Sequence, residues 1–310
     1  MERGKLEKIL AFDIGGTNIK YGLVERGKIV DRGSFPTHAE EGKDFVIAKL
    51  LDLINVKKNV IDGVGLAVAG LVDHEKGVVY EPPNLPGWNE VPIKEMIESK
   101  TGKPTFVLND ANAFVLGEWQ FGVGKDEANV IGITLGTGVG GGIIANRKLL
   151  LGRVHFAAEI GHMVIDPSGP VCNCGQRGCW ESYLGSAYFS KRAKVFLQRY
   201  GITLEEYSPK ELREIAAQGC EPAKLLWEEF GYYLAIGLVN LTHIFDPDIF
   251  VIGGGVSNAF ELFIGNTEKI LEERVMGYSR RELKIRKSLL GDDSALLGAY
   301  YFAHEEGKVW

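Results

Sequence analysis

Four cysteines in 310 residues are too few for a disulfide scaffold, and three of them fall between positions 172 and 179, leaving Cys220 alone. That usage fits metal ligation plus one spare thiol in a reducing cytoplasm. A Gly-Lys-Ser or Gly-Lys-Thr triplet occurs nowhere, which closes the P-loop route to nucleotide. No dense Lys/Arg stripe is present and acids outnumber bases 41 to 35, for a net charge of −6, so nucleic acid is not an expected partner. Long apolar runs are missing too. The uncharged stretch over Val130 to Ala145 is cut by six glycines and falls short of the roughly 20 residues of a membrane span, and Asp13 cuts the short run Ile9 to Phe12 that a signal peptide would need. The expectation is a cytoplasmic globular protein of two moderate domains.

What is there is a run of metal-ligand chemistry. His162 stands ten residues before Cys172, Cys174 and Cys179, with Gly175 and Gly178 between them. One imidazole and three thiolates make the closed shell that structural zinc prefers, and the glycines let the loop fold back on an ion. Glu159 and Glu181 flank the ligands, so one metal knot would fix two carboxylates suited to a hydroxyl-rich ligand. If the metal acts only through this loop, its loss should weaken binding of that ligand and leave binding elsewhere on the chain alone.

Elsewhere the chain alternates strands, glycine turns and helices. Lys8 to Lys28 reads as two strands joined through Asp13-Ile14-Gly15-Gly16-Thr17-Asn18, a hairpin whose tip can approach a ligand closely, with Asp13 placed to face a magnesium nucleotide. A helix from Phe45 to Ile54 and a buried strand from Ile61 to Ala69 follow, with Gly63, Gly65 and Gly70 as close-approach points. Pro82-Pro83-Asn84-Leu85-Pro86-Gly87-Trp88 forms a rigid loop that either lines a site or serves as a connector. After a short helix at Ile93 to Ile97, the strand Pro104 to Leu108 runs into Asn109-Asp110, the start of a helix through Phe121. Open α/β sheets place their chemistry at such junctions. Asp110 reads as a helix N-cap, the reading an isolated junction of this kind favours, or as a general base, and local sequence does not decide between them.

Leu135 to Gly142 contains a formal G-x-G-x-x-G, but a strand follows it where a dinucleotide site needs a helix. A second glycine-tipped hairpin is the better reading, with Thr137 and Gly138 at its tip. Helices are expected over Trp180 to Tyr200, Pro209 to Gln218 and Ala223 to Phe245. The strand Ile249 to Ile252 then ends in Gly253-Gly254-Gly255, and a strand at Leu283 to Arg286 precedes a helix at Ser294 to Ala303 that should pack across both domains.

Two glycine-tipped hairpins, one in each half, suggest an internal duplication with nucleotide between the lobes. They resemble the phosphate-binding hairpins of the actin, hexokinase and Hsp70-like ATPase superfamily, an α/β fold of duplicated ribonuclease H-like domains. Glu159-x-Gly161-His162 followed by Cys172-x-Cys174-Gly175-x-x-Gly178-Cys179-x-Glu181 resembles the ROK family of repressors, open reading frames and sugar kinases, and within it the bacterial-type glucokinases. The resemblance implies a hexose kinase that transfers the ATP γ-phosphate to the 6-hydroxyl of glucose, or of N-acetylglucosamine, N-acetylmannosamine, mannose or fructose. Asp110 would be the base, and Asn109, Asp110, Glu159, His162 and Glu181 would hold the sugar. Asp13, Gly15, Gly16, Thr17, Thr137, Gly138 and Gly254 would surround Mg-ATP, and His162, Cys172, Cys174 and Cys179 would bind zinc. It further implies a small domain of residues 1–113 with 293–310, a large one of 114–292, and a dimer or tetramer. Ala69, where proline commonly precedes the glycine, and Trp180, where a smaller aliphatic residue is usual, depart from the pattern on what should be the sugar side. A sugar-sensing protein without kinase activity is the rival, but only twelve residues precede Asp13, too few for the DNA-binding domain such a repressor carries.

Overall fold

In a computed structural model the protein is described over residues 6–82 and 84–309; Pro83 of the expected rigid loop lies outside the described residues. The chain opens with β1 (Lys8–Ile14), β2 (Asn18–Glu25) and β3 (Lys28–Pro36), a meander in which Asp13 pairs with Lys20 across the first hairpin. Next come α1 (Lys43–Lys57) and β4 (Gly63–Val68), which is buried at every residue because it is flanked by parallel neighbours in the sheet. The small hairpin β5 (Leu71–Asp73) and β6 (Val78–Tyr80), α2 (Ile93–Thr101), β7 (Thr105–Asn109) and α3 (Asp110–Phe121) follow. The strand order β3-β2-β1-β4-β7 joins an antiparallel meander to two parallel crossover strands.

A second sheet repeats the plan. It contains β8 (Val130–Leu135), β9 (Val139–Ala145) and β10 (Lys148–Leu149), then, after α4 (Glu181–Leu184), α5 (Ser186–Gln198), α6 (Pro209–Ala217) and α7 (Glu221–Phe245), the strand β11 (Ile249–Gly253). The chain continues with α8 (Phe260–Arg274), β12 (Lys284–Lys287) and α9 (Ser294–His304). The order β10-β9-β8-β11-β12 matches the first sheet position for position, with β12 parallel to β11. Internal duplication of a ribonuclease H-like sheet is therefore present. None of the helices is long and apolar enough to cross a membrane among the described residues.

Contacts divide the chain into two units, one of Met1–Gly132, Gly142–Ala158 and Ser288–Trp310, the other of Ile133–Gly141 and Glu159–Lys287. The first unit thus takes in more than the expected residues 1–113 and 293–310. The physical reason is α3, which packs along its length on α9. At Gly117 and Gly298 a Cβ would overlap Ser294 O and Ala113 O, so the two helices touch backbone to backbone. Helix α9, expected across both domains, packs on α3, β1, β4 and β7 of the first unit. Its entry is held by Glu118 of α3, whose fully buried carboxylate accepts from Ser288 Oγ (2.6 Å), Ser294 Oγ (2.8 Å), Leu290 N (3.0 Å), Val123 N (3.2 Å) and Leu289 N (3.3 Å). Five donors around one carboxylate offset its desolvation.

The opposite layer of the first unit holds a core built from Leu50, Ile54, Ile93 and Ile97 of α1 and α2 together with Leu85, Trp88 and inward residues of β1 and β4. In the second unit Phe189, Trp227, Phe230 and Phe263 form an aromatic cluster with centroids 4.8 to 6.1 Å apart. The helix expected over Trp180 to Tyr200 is broken at Gly185 (φ −59, ψ 137), where the chain ends α4 and Ser186 N turns to bond Gly136 O at 2.9 Å.

Candidate active site and metal centre

Parallel register sets the first group of candidate residues in a row. Asp13 of β1 pairs with Ala67, Val68 of β4 pairs with Asn109 of β7, and all three strands end at the same edge. The junction at β7 separates the two readings of Asp110. Asn109 is the N-cap: its Oδ1 accepts from Ala111 N (2.9 Å) and Asn112 N (3.0 Å), while its Nδ2 donates to Gly70 O (3.0 Å). Asp110 is the first helical residue and accepts from the Ala111 amide at 2.9 Å and from its own backbone amide. Capping is thus done by its neighbour, and a carboxylate near the helix N-terminus is left with unused acceptor capacity.

Asp13 and Asp110 face each other electrostatically. Burial first, then the Asp110 charge, pushes Asp13 up to about 6, with Lys20 opposing. Burial likewise raises Asp110 against the amides that bond it. Lys20 is shared, its Nζ lying 2.8 Å from Asp292.

The tip of the first hairpin is braced by a residue that sequence reading passed over. Buried Thr37 donates from Oγ1 to Gly15 O (2.7 Å) and from N to Thr17 O (2.9 Å), leaving Thr17 and Asn18 exposed. Asn84, of the proline-rich loop, stands against the same tip. A Cβ on Gly16 would stand 2.6 Å from Asn84 Cβ, and one on Gly70 2.7 Å from Pro82 Cα. The proline-rich loop therefore lies across the hairpin tip and the Gly70 carbonyl that holds Asn109. It packs on these candidate residues, with Leu85 and Trp88 as its buried anchors. No residue-level signal separated that outcome from a connector.

The other candidates assemble in the second unit. One ligand atom each of His162, Cys172, Cys174 and Cys179 lies within 4.8 Å of all the others, with Cys172 Sγ 3.7 Å from His162 Nδ1 and Cys174 Sγ 3.6 Å from Cys179 Sγ. The loop closes through Ile165 N to Gly178 O and Trp180 N to Met163 O, both 2.9 Å, and Gly178 (φ 72) leaves room for Asp166 O. Burial, then the two neighbouring thiols, push Cys179 up to about 12. Three packed thiols resist ionising together, whereas a bound dication would hold them as thiolates. The donor set therefore fits a closed metal site reached through His162 Nδ1, which leaves Nε2 for another partner.

The metal loop and the second hairpin are physically one object. Glu181 Oε2 accepts from Val139 N at 3.0 Å, and a Cβ on Gly138 would overlap that oxygen. On the other side of the loop, a Cβ on Gly161 would overlap Val139 O. Both ends of the loop thus grip Val139, at the base of the Thr137-Gly138 tip. Gly254 (φ 80) backs onto the same hairpin, where a Cβ would fall on Leu135 O. These contacts tie the second hairpin to the loop, and they argue against the expectation that metal loss would act on the loop alone. Glu159 is exposed at the start of the loop. Trp180 is no open wall. It is fully buried, donates from Nε1 to Tyr233 O (2.7 Å), and packs on Gly237 of α7.

Two ribonuclease H-like sheets, each with a glycine-tipped hairpin, together with a His/Cys metal loop, define the class of hexokinase-like phosphoryl-transfer folds. The chain belongs to the ROK family, whose model matches residues 9–306. It is 36% identical to the glucokinase of Thermotoga maritima over 94% of this chain and 96% of that one. The crystal structure of a ROK family glucokinase from Streptomyces griseus in complex with glucose and AMPPNP aligns with TM-score 0.84 and 32% identity, covering 96% of this chain and 99% of that one. Similarity extends to a putative xylose repressor of Caldicellulosiruptor, 33% identical over 76% of this chain and 61% of the repressor.

Proposed function

We propose that this protein is an ATP-dependent hexose kinase, with glucose as the favoured acceptor and the 6-hydroxyl as the position phosphorylated. The observation that carries the mechanism is the division of labour at the β7–α3 junction. Asn109 caps the helix, so Asp110, desolvated and raised in proton affinity, is available to take a hydroxyl proton as the bond to phosphorus forms. Asn109 retains one Nδ2 hydrogen for sugar, and His162, bound to metal through Nδ1, would donate its Nε2–H to a sugar oxygen, while the carboxylates of Glu159 and Glu181 offer acceptors for further hydroxyls. Amides and hydroxyls at Gly15, Gly16, Thr17, Thr137, Gly138 and Gly254 would hold the nucleotide phosphates, with Asp13 oriented toward their magnesium. Magnesium, when bound with ATP, supplies charge neutralisation at the phosphates. His162, Cys172, Cys174 and Cys179 would hold a structural zinc, and their role is to keep Glu181 and His162 in place.

Glucokinase relatives matched over nearly their full length favour glucose, and the glucose and AMPPNP bound by the S. griseus protein are the ligand chemistry expected here. A second reading, a sugar sensor without transfer activity, is favoured by the repressor similarity alone. A coupled assay of ADP release with glucose, mannose, fructose, N-acetylglucosamine and N-acetylmannosamine tests both. Glucose should give the highest kcat/KM. A different best acceptor would overturn the glucose assignment, and sugar binding without ADP release would overturn the kinase.

A further inference from the structure

Outside the kinase residues, the first unit brings together two histidines that start 81 positions apart in sequence, His74 and His155. His74 occupies the tight β5–β6 turn and His155 the segment after β10. Their rings meet edge to face with centroids 4.0 Å apart. His155 Nδ1 lies 3.3 Å from Asp73 Oδ1, and its Nε2 lies 3.8 Å from Glu75 Oε1. Ligand atoms of His74, Glu75 and His155 fall within 4.8 Å of one another, the same spacing as in the His/Cys cluster. Both rings line one end of a cavity of about 480 Å³ whose other walls are Leu149, Leu150 and Leu151.

We infer that His74, His155 and Glu75 form a second metal site, for a borderline divalent transition ion such as zinc, cobalt or nickel. The arrangement has the parts that such a site needs. Two imidazoles and a carboxylate are a three-ligand set that leaves one coordination position open. Asp73 supplies a nearby negative charge: its Oδ1 stands 3.3 Å from His155 Nδ1, close enough to favour a cation on the pair without a hydrogen bond to that nitrogen. Asp73 is itself held by Lys76 N at 3.1 Å, so its position does not depend on the ion. His155 adopts φ 66, an uncommon left-handed backbone for a residue with a side chain, and that conformation brings its ring back onto His74. Glu75 is exposed, 66% at the side chain, and gives an ion a route in. None of these residues belongs to the kinase site, so the inference stands or falls independently of the catalytic assignment.

The test is a cobalt(II) titration of the full-length protein, read by visible absorption and by bound metal per chain after dialysis. The Cys174→Ser variant removes the thiolate-rich site from the reading. It should still bind one cobalt with a nitrogen and oxygen ligand spectrum lacking sulfur charge transfer. Adding Glu75→Ala, a surface change that leaves packing intact, should weaken that ion at least about tenfold, and His155→Ala should abolish it. Asp73→Asn, which removes a negative charge from beside His155, should weaken it by a smaller factor with all three ligands still present. Absence of any bound cobalt in folded Cys174→Ser, or a bound ion indifferent to both Glu75→Ala and His155→Ala, would show that the two histidines are a packed aromatic pair and nothing more.

Discussion

Asp110→Asn should make this protein more stable and nearly inactive at once. The folded state holds Asp13 near a pKa of about 6 against an ordinary 3.8, through burial first and the Asp110 charge second. An acid whose proton affinity is raised by folding destabilises the native state wherever it must ionise. Stability is unaffected below about pH 4, falls as pH rises from about 4 to about 6, and stays lower above that. For Asp13 the full effect is about 3 kcal/mol at most, from about 1.4 kcal/mol per tenfold change in proton affinity. Asp110, raised in the same direction by burial, adds to it. Asparagine at 110 keeps the side-chain oxygen that accepts from Ala111 N, and it does not disturb the cap, which belongs to Asn109. It removes one buried charge and the repulsion on the other, so a gain of about 1 kcal/mol is expected at about pH 7.5. That corresponds to about 2–4 °C in Tm. The gain should shrink as pH falls through about 6 toward 4, where Asp13 takes up its proton. Turnover should fall by about 10² to 10⁴ as the base is lost. Calorimetry at the two pH values beside a coupled assay decides the matter. A variant less stable than wild type at neutral pH would mean that Asp110 holds structure, and turnover within a few-fold of wild type would mean that it is not the base.

Cys174→Ser should release the loop metal and weaken glucose binding most, with nucleotide affinity also falling because Glu181 and Gly161 grip Val139; separate titrations beside circular dichroism check this, and unchanged nucleotide affinity would uncouple loop from hairpin. Gly254→Ala has no escape from Leu135 O and forces a side chain into φ 80, so a loss of about 2 kcal/mol or more with weakened ATP binding is expected from denaturant unfolding. Ala158 stands at φ 70, a left-handed strain of about 1–2 kcal/mol, so Ala158→Gly should stabilise by up to about 1 kcal/mol after the added chain entropy is counted; a lower denaturation midpoint would show that the strain is absent.

Much of this was legible in the sequence because it is written in local patterns. Alternation and glycine turns gave both hairpins, and the β7 to α3 junction fell within a residue of its expected place. The metal loop was readable from ligand spacing alone, since thiols and an imidazole at those intervals have few other uses. Less accessible was anything decided by a partner far along the chain. Whether Asn109 or Asp110 caps α3 depends on which side chain the Gly70 carbonyl captures. The break at Gly185 depends on Gly136 receiving an amide from Ser186. Trp180, a departure from the family pattern that seemed to bear on the sugar, turns out to fill space against Gly237. His74 and His155 carried no signal, because neither has a neighbour in sequence that makes it unusual.

Glu118 has a consequence for how the protein is made. Its carboxylate sits on the helix that begins with Asp110, yet four of its five donors come from residues 288–294. Those residues leave the ribosome only after the whole segment Glu159–Lys287 has been synthesised. Until then the nascent first unit has a carboxylate destined for burial without most of its donors, an α3 face of small residues with nothing against it, and a sheet covered on one side. The site at Asp110 is therefore completed only when the last residues of the chain arrive, and a message truncated after residue 287 would leave Glu118 without four of its donors.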